Sequence, residues 1–166
     1  MIDKLARHRR ALNALGFAAM AALLAAAYGL EYLGGLEPCP LCLFQRMVVV
    51  ALAVAFLAAA LHDPQGRGCW IYAAVIGVVG AMGIGIALRH LWLQSLPPDQ
   101  VPACGPGLDY MLDTMPVTQA LIRVLQGTGD CAEVAPVLGL PIPLWTLGAF
   151  AAALGWGVTV NIRRKA

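Results

Sequence analysis

Four long apolar runs divide the chain: Ala11–Leu30, Leu43–Leu61, Trp70–Leu88 and Leu144–Val160. Each holds about 17–20 residues, enough to cross about 30 Å of hydrocarbon as a helix. Basic residues precede the first run, as they would a signal peptide. Its apolar core is longer than the roughly 7–15 residues of a signal, so it is read as a retained helix. Between the third and fourth runs the pattern changes. Leu91–Pro141 contains Pro97, Pro98, Pro102, Pro106, Pro116 and Pro136 with several glycines, which suits an aqueous loop better than a span. Within it, "PVTQALIRVLQG" has apolar Val117, Ala120, Leu121, Val124 and Leu125 at helical spacing, with Pro116 as a candidate first residue and Gly127 as a stop. This predicts a short amphipathic helix, lying on the membrane surface or packed on the helix bundle.

The expected architecture is an all-α membrane protein. It is a single integral domain over residues 1–166, a four-transmembrane-helix bundle with helices near 11–30, 43–61, 70–88 and 144–160. The outer loops fall near 31–42 and 89–143, and the second of them carries the amphipathic helix. Composition agrees. Of 166 residues 60% are hydrophobic and 12% charged, and the mean hydropathy is +0.76. A soluble domain carries about twice that charge. The net charge of +2 says little, but its placement says more. Lys4, Arg7, Arg9 and Arg10 precede the first run, Arg67 lies in the second connection, and Arg163, Arg164 and Lys165 follow the fourth run. The first connection has no basic residue, and the third is mostly acidic. The positive-inside bias then predicts both termini in the cytoplasm and the first and third connections outside. No nucleic-acid partner is expected.

This topology sorts the five cysteines. Cys39 and Cys42 fall at the outer end of the second helix, Cys104 and Cys131 in the long outer loop, and Cys69 at the inner end of the third helix. Disulfides persist outside a bacterial inner membrane, so the odd count resolves into two outward pairs and one inner thiol, read as a small buried hydrophobe. A Cys104–Cys131 bridge would close a loop of about 28 residues and could be structural. A Cys39–Cys42 bridge closes almost nothing, and a two-residue gap at a helix start is the spacing of a redox dithiol. Half of a zinc site has the same spacing, with Cys104 and Cys131, or His90, as the other half.

The stretch "EPCPLCLFQR" favours the redox reading. Pro40 suits the first helical position, which makes Cys39 the N-cap and puts Cys42 in the first turn, where free N–H groups and the helix dipole favour a thiolate. Arg46 follows one turn deeper on the same face. It either snorkels to the surface or faces a ligand carbonyl or developing anion. No nucleotide-binding glycine loop is present, and the glycines of "GVVGAMGIG" suit close helix packing. A lipid-soluble quinone needs no such loop and reaches the site through the bilayer. His90, at the end of the third helix, could donate a hydrogen bond to it, or simply meet headgroups.

Together, "CPLCLFQR", the "RH" pair Arg89 and His90, "ACGPG…GDCAE" and "PIPLWTLG" resemble the bacterial disulfide bond formation protein B family (DsbB) over nearly the whole chain. Cys69 is not part of that pattern. The resemblance implies a four-helix protein of the bacterial inner membrane. It would reoxidise a soluble, DsbA-like periplasmic thiol oxidase and pass electrons to ubiquinone or menaquinone in the membrane pool. Because that oxidase is itself strongly oxidising, a non-thiol acceptor of higher potential is required, a relation already established for this system. The resemblance also implies roles. Cys104 would form the mixed disulfide with the partner, and Cys131, its bridge mate, would pass the electrons towards Cys39. Cys42 would face the quinone, with Arg46 stabilising that contact and His90 nearby; no resident metal is implied. Other readings of the residues are a quinone-linked reductase of the vitamin K epoxide type, a soft-metal carrier and an inert disulfide-bonded membrane protein. A carrier would want cysteines through the bilayer, and the first and fourth helices have none.

Overall fold

The computed structural model describes residues 2–97, 99–103, 108–134 and 136–162. These residues form α1 (Ile2–Tyr32), α2 (Pro40–His62), α3 (Arg67–Gln94), α4 (Leu108–Thr114), α5 (Val117–Gln126) and α6 (Ile142–Ile162). A 3-10 turn covers Gly129–Ala132, and a small antiparallel hairpin pairs β1 (Pro136–Val137) with β2 (Leu140–Pro141). Its two-residue turn has positive φ at both Leu138 (53°) and Gly139 (80°), the pattern of a type I′ hairpin.

Among the described residues, four helices are long and apolar enough to cross a membrane, within Arg9–Tyr32, Pro40–His62, Arg67–Gln94 and Ile142–Ile162. Each is longer than its apolar run. α3 in particular continues to Gln94 instead of stopping at Leu88, so Arg89 and His90 are helical and the second outer connection begins later than expected. Hydropathy stops at polar residues, but a helix continues wherever those residues find partners. α5 begins at Val117 with Pro116 as its N-cap, so the proline stands one place outside the position the sequence suggested. α4 and the hairpin were not foreseen, being too short to show a period.

The four long helices form a ring: α1 packs on α2, α2 on α3, α3 on α6, and α6 back on α1. Lipid tails are as apolar as leucine, so close packing and buried polar contacts must hold such a ring together. Its centre is built from large rings laid over glycines. The Phe56 ring lies against Gly16 and Gly157, and the Phe150 ring against Gly83. Phe56, Phe150, Leu52 and Ile76 are fully buried, while Val54, Ile71, Val78 and Met82 point outward. A Cβ on Gly157 would stand 2.5 Å from Ile76 Cγ2. Gly157→Ala is therefore expected to cost about 1–3 kcal/mol. Thermal unfolding in detergent checks this, and an unchanged midpoint would show the α3–α6 contact to be loose. Towards the chain termini, buried Asn13 and Asn161 exchange amide hydrogen bonds of 3.3 and 3.1 Å and join α1 to α6.

At the other end, the connecting segments are packed down. Ala120 and Val124 of α5 are buried with Leu41, Leu93, Met111 and Cys131 in a second core. α5 therefore packs on the bundle. Val117, Leu121, Ile122 and Leu125 remain exposed, so only part of the expected apolar stripe is buried. α5 is fastened at its C-terminal end. Arg89 donates to the carbonyls of Leu125 (3.2 Å) and Gln126 (2.8 Å), a cation on the last orphan carbonyls of a helix. Gly127 then turns away with φ 84°, and a Cβ there would stand 2.2 Å from Leu93 Cδ1. Glycine is needed for both reasons.

Candidate active site: a dithiol at the mouth of an apolar cavity

Cys39 is the N-cap of α2 and Pro40 its first residue. The Cys39 carbonyl accepts from Leu43 N at 3.2 Å, so the helix ladder starts here. Proline offers no N–H and fixes φ, which suits a helix start. One turn brings Cys42 back over Cys39, and the two sulfurs stand 3.4 Å apart as separate thiols.

A third sulfur adjoins them. The 3-10 turn carries Cys131, fully buried, into contact with Cys39. The turn is held by Cys131 N donating to Thr128 O (2.9 Å) and by Gly129 N donating to Ala103 O (3.2 Å). The second bond draws the backbone just before position 104 towards the same turn. Cys104 itself, and with it the expected Cys104–Cys131 pair, lies outside the described residues. Contact with Cys39, reinforced by burial, pushes the Cys131 thiol well above its usual range. For Cys39, the Cys131 hydrogen bond favours the thiolate, but contact with Cys42 and burial outweigh it and push the thiol up to about 12. When all three are reduced, Cys39 and Cys131 hold their protons at neutral pH. Exchange then needs a group that takes a proton.

His90 stands where such a group is needed. It is buried on α3, with Nε2 3.8 Å from Cys39 Sγ. Its other nitrogen, Nδ1, is 3.3 Å from Gln45 Nε2, and Gln45 Oε1 accepts from Thr146 Oγ1 of α6 at 2.9 Å. One polar chain thus links α6, α2 and α3 to the dithiol. Neither Gln45 nor Thr146 stands out in the sequence as a site residue. A glutamine beside an arginine in an apolar run was the available signal, because a polar side chain at that depth needs a partner.

Arg46 reaches towards α1. It forms an ion pair with Glu31, donates to Ala27 O at 3.3 Å, and lies over the Tyr28 ring at 5.0 Å. Glu31 was also missed. An acid at the end of α1, at the depth of an unpartnered arginine, was the clue.

These groups meet at one cavity of about 560 Å³ between α1, α2, α6 and the hairpin. Leu23, Leu24, Ala27 and Val49 supply apolar wall, and Cys42, Arg46, Glu31 and His90 supply the polar end. A concave, mostly apolar site with a few convergent polar groups is the usual form of a small-ligand site. Cys69 is far from it, near the start of α3. It donates to Pro64 O at 3.1 Å and accepts from Arg9 Nη1 at 2.8 Å, fastening the inner turn. Cys69→Ser is expected to leave the chemistry of the dithiol within about twofold of the parent, since distant sites act independently. A large loss in a turnover assay would contradict that separation.

Four apolar spans with a half-buried dithiol at one end make this a multi-pass membrane thiol oxidoreductase. The family model for disulfide bond formation protein DsbB matches residues 9–160, and the chain belongs to that family. It is 54% identical over 137 residues to the disulfide bond formation protein B of Nitrosococcus oceani, covering 82% of this chain and 81% of that protein. The protein of the same name from Hahella chejuensis is 52% identical over 142 residues, covering 85% and 86%. That from Chromohalobacter salexigens is 47% identical over 157 residues, covering 91% of each chain.

Proposed function

We propose that the protein reoxidises a periplasmic DsbA-like dithiol oxidase by thiol-disulfide exchange and passes the electrons to a respiratory quinone, ubiquinone or menaquinone. It sits in the bacterial inner membrane with both termini in the cytoplasm. The basic residues before α1 and after α6 support that orientation. The observation that carries the reading is the Cys39–Cys42 dithiol, with Cys131 on one side of it and the apolar cavity on the other.

A partner thiolate attacks Cys104 of the Cys104–Cys131 disulfide, forms a mixed disulfide and releases Cys131 as a thiolate. The partner's second thiol displaces Cys104 and leaves oxidised. Cys131 then attacks Cys39 of the Cys39–Cys42 disulfide and releases Cys42. Cys104 reclaims Cys131, and Cys39 and Cys42 are left reduced. Each step is attack of a thiolate on a disulfide sulfur. His90, close to Cys39 Sγ, takes or returns the Cys39 proton.

The cavity residues fit a quinone: apolar walls for a ring and tail, and Cys42 and Arg46 at the polar end. When bound, a quinone supplies an acceptor for two electrons and two protons. Cys42 would contact its ring, Arg46 would offer a fixed cation to negative charge on its oxygens, and His90 completes the polar end. Anaerobic turnover with a reduced DsbA-like protein and ubiquinone tests this. Quinone-dependent oxidation of the partner is expected, and its absence with either quinone would overturn the reading.

A further inference from the structure

Reduced, the site also has the form of a metal site. Among the described residues, Cys39 Sγ, Cys42 Sγ and a His90 ring nitrogen all lie within 4.8 Å of one another. The two sulfurs are 3.4 Å apart, and Cys39 Sγ is 3.8 Å from His90 Nε2. Zinc bonds of about 2.3 Å to sulfur and 2.0–2.1 Å to nitrogen, at tetrahedral angles, put neighbouring ligand atoms about 3.5–3.8 Å apart. Two edges are therefore close to those of such a tetrahedron, and side-chain shifts complete it.

The surroundings suit a cation as well. Ligation through Nε2 requires a proton on Nδ1 and an acceptor facing it. Half a turn of the Gln45 amide presents its oxygen to Nδ1 and its NH₂ to Thr146 Oγ1. That hydroxyl also lies 3.0 Å from Pro143 O, so it can donate there and accept from Gln45. No hydrogen bond is lost, and the ligand gains the outer partner that metal-bound histidines need. Two thiolates and a neutral imidazole around a divalent cation sum to zero charge, which a buried site tolerates. Arg46, the nearby cation, is neutralised by Glu31. The fourth position is filled by water from the cavity.

We propose that the reduced protein binds one thiophilic divalent cation, of the Zn²⁺ class, through Cys39, Cys42 and His90, and that this halts electron transfer. Two thiol protons leave to water, two metal–sulfur bonds form, and no electron moves. With both sulfurs ligated, neither is free for exchange. A Cys39–Cys42 disulfide abolishes the site, so metal competes only with the reduced state. Metal binding needs only the reduced dithiol and stands whether or not the cavity takes a quinone, while the block on electron transfer rests on the proposed function.

The test uses full-length protein in detergent carrying Cys69→Ser and Cys104→Ser, which leaves Cys39, Cys42 and Cys131. It is reduced with a phosphine, desalted anaerobically and titrated with Cd²⁺ or Zn²⁺. Expected are one metal per chain, an ultraviolet thiolate-to-cadmium band, and protection of Cys39 and Cys42 from alkylation. The same protein oxidised to the Cys39–Cys42 disulfide should bind less than a tenth as much, a comparison that involves no further mutation. His90→Ala should weaken binding at least about tenfold. Equal binding by the oxidised form, no binding by the reduced form, or unchanged affinity in His90→Ala would each overturn the proposal.

Discussion

Cys42→Ser is expected to lower quinone-dependent turnover at least about 10³-fold, because the thiolate is the electron donor and a hydroxyl cannot replace it. The chemistry around it should partly survive. Cys39 retains its sulfur beside Cys131, and the loop cysteines are untouched. Mixed disulfides with the soluble partner should therefore still form and be trapped on non-reducing gels. Folding should be unaffected, since Cys42 is only half-buried and serine fits the first turn of a helix. Quinone turnover near the parent rate would place the electron outlet elsewhere in the molecule.

Arg46→Met is expected to lower turnover with quinone about 10²-fold, the usual cost of removing one preorganised group that meets developing negative charge. A structural role alone would also follow from the geometry, because Arg46 pairs with Glu31 and caps Ala27 O. The double variant Glu31→Gln, Arg46→Met separates the two. Both side chains of the pair retain some exposure, at 16% and 24%, so the stability at stake is well below that of a fully buried pair. Removing both charges should restore the melting temperature and leave turnover low. Recovery of turnover together with stability would reduce Arg46 to a structural partner of α1.

The spans were legible because lipid imposes a length on any helix that crosses it, and Ala11–Leu30 and its three counterparts meet that length. The start of α2 was legible because Pro40 fixes a first turn and so places Cys39 and Cys42. What escaped were contacts between separate helices. Glu31 meets Arg46 from 15 residues away, Gln45 meets His90 from 45, and Arg89 caps α5 from 36. Periodicity within one segment carries no information about such pairs. His90 illustrates the difference. At the apparent end of an apolar run it looked interfacial, and only the continuation of α3 to Gln94 buries it beside Cys39. α4 and the hairpin are short and take their shape from the surface they cover.

On the proposed function, the Cys39–Cys42 dithiol delivers its electrons to a quinone at the cavity. A single anaerobic turnover measures this directly. Reduced protein carrying Cys104→Ser and Cys131→Ser, and so cut off from the loop relay, is mixed with one equivalent of ubiquinone. One quinone should be consumed per chain, and mass spectrometry should find Cys39 joined to Cys42. Undiminished quinone with both thiols still free would contradict it.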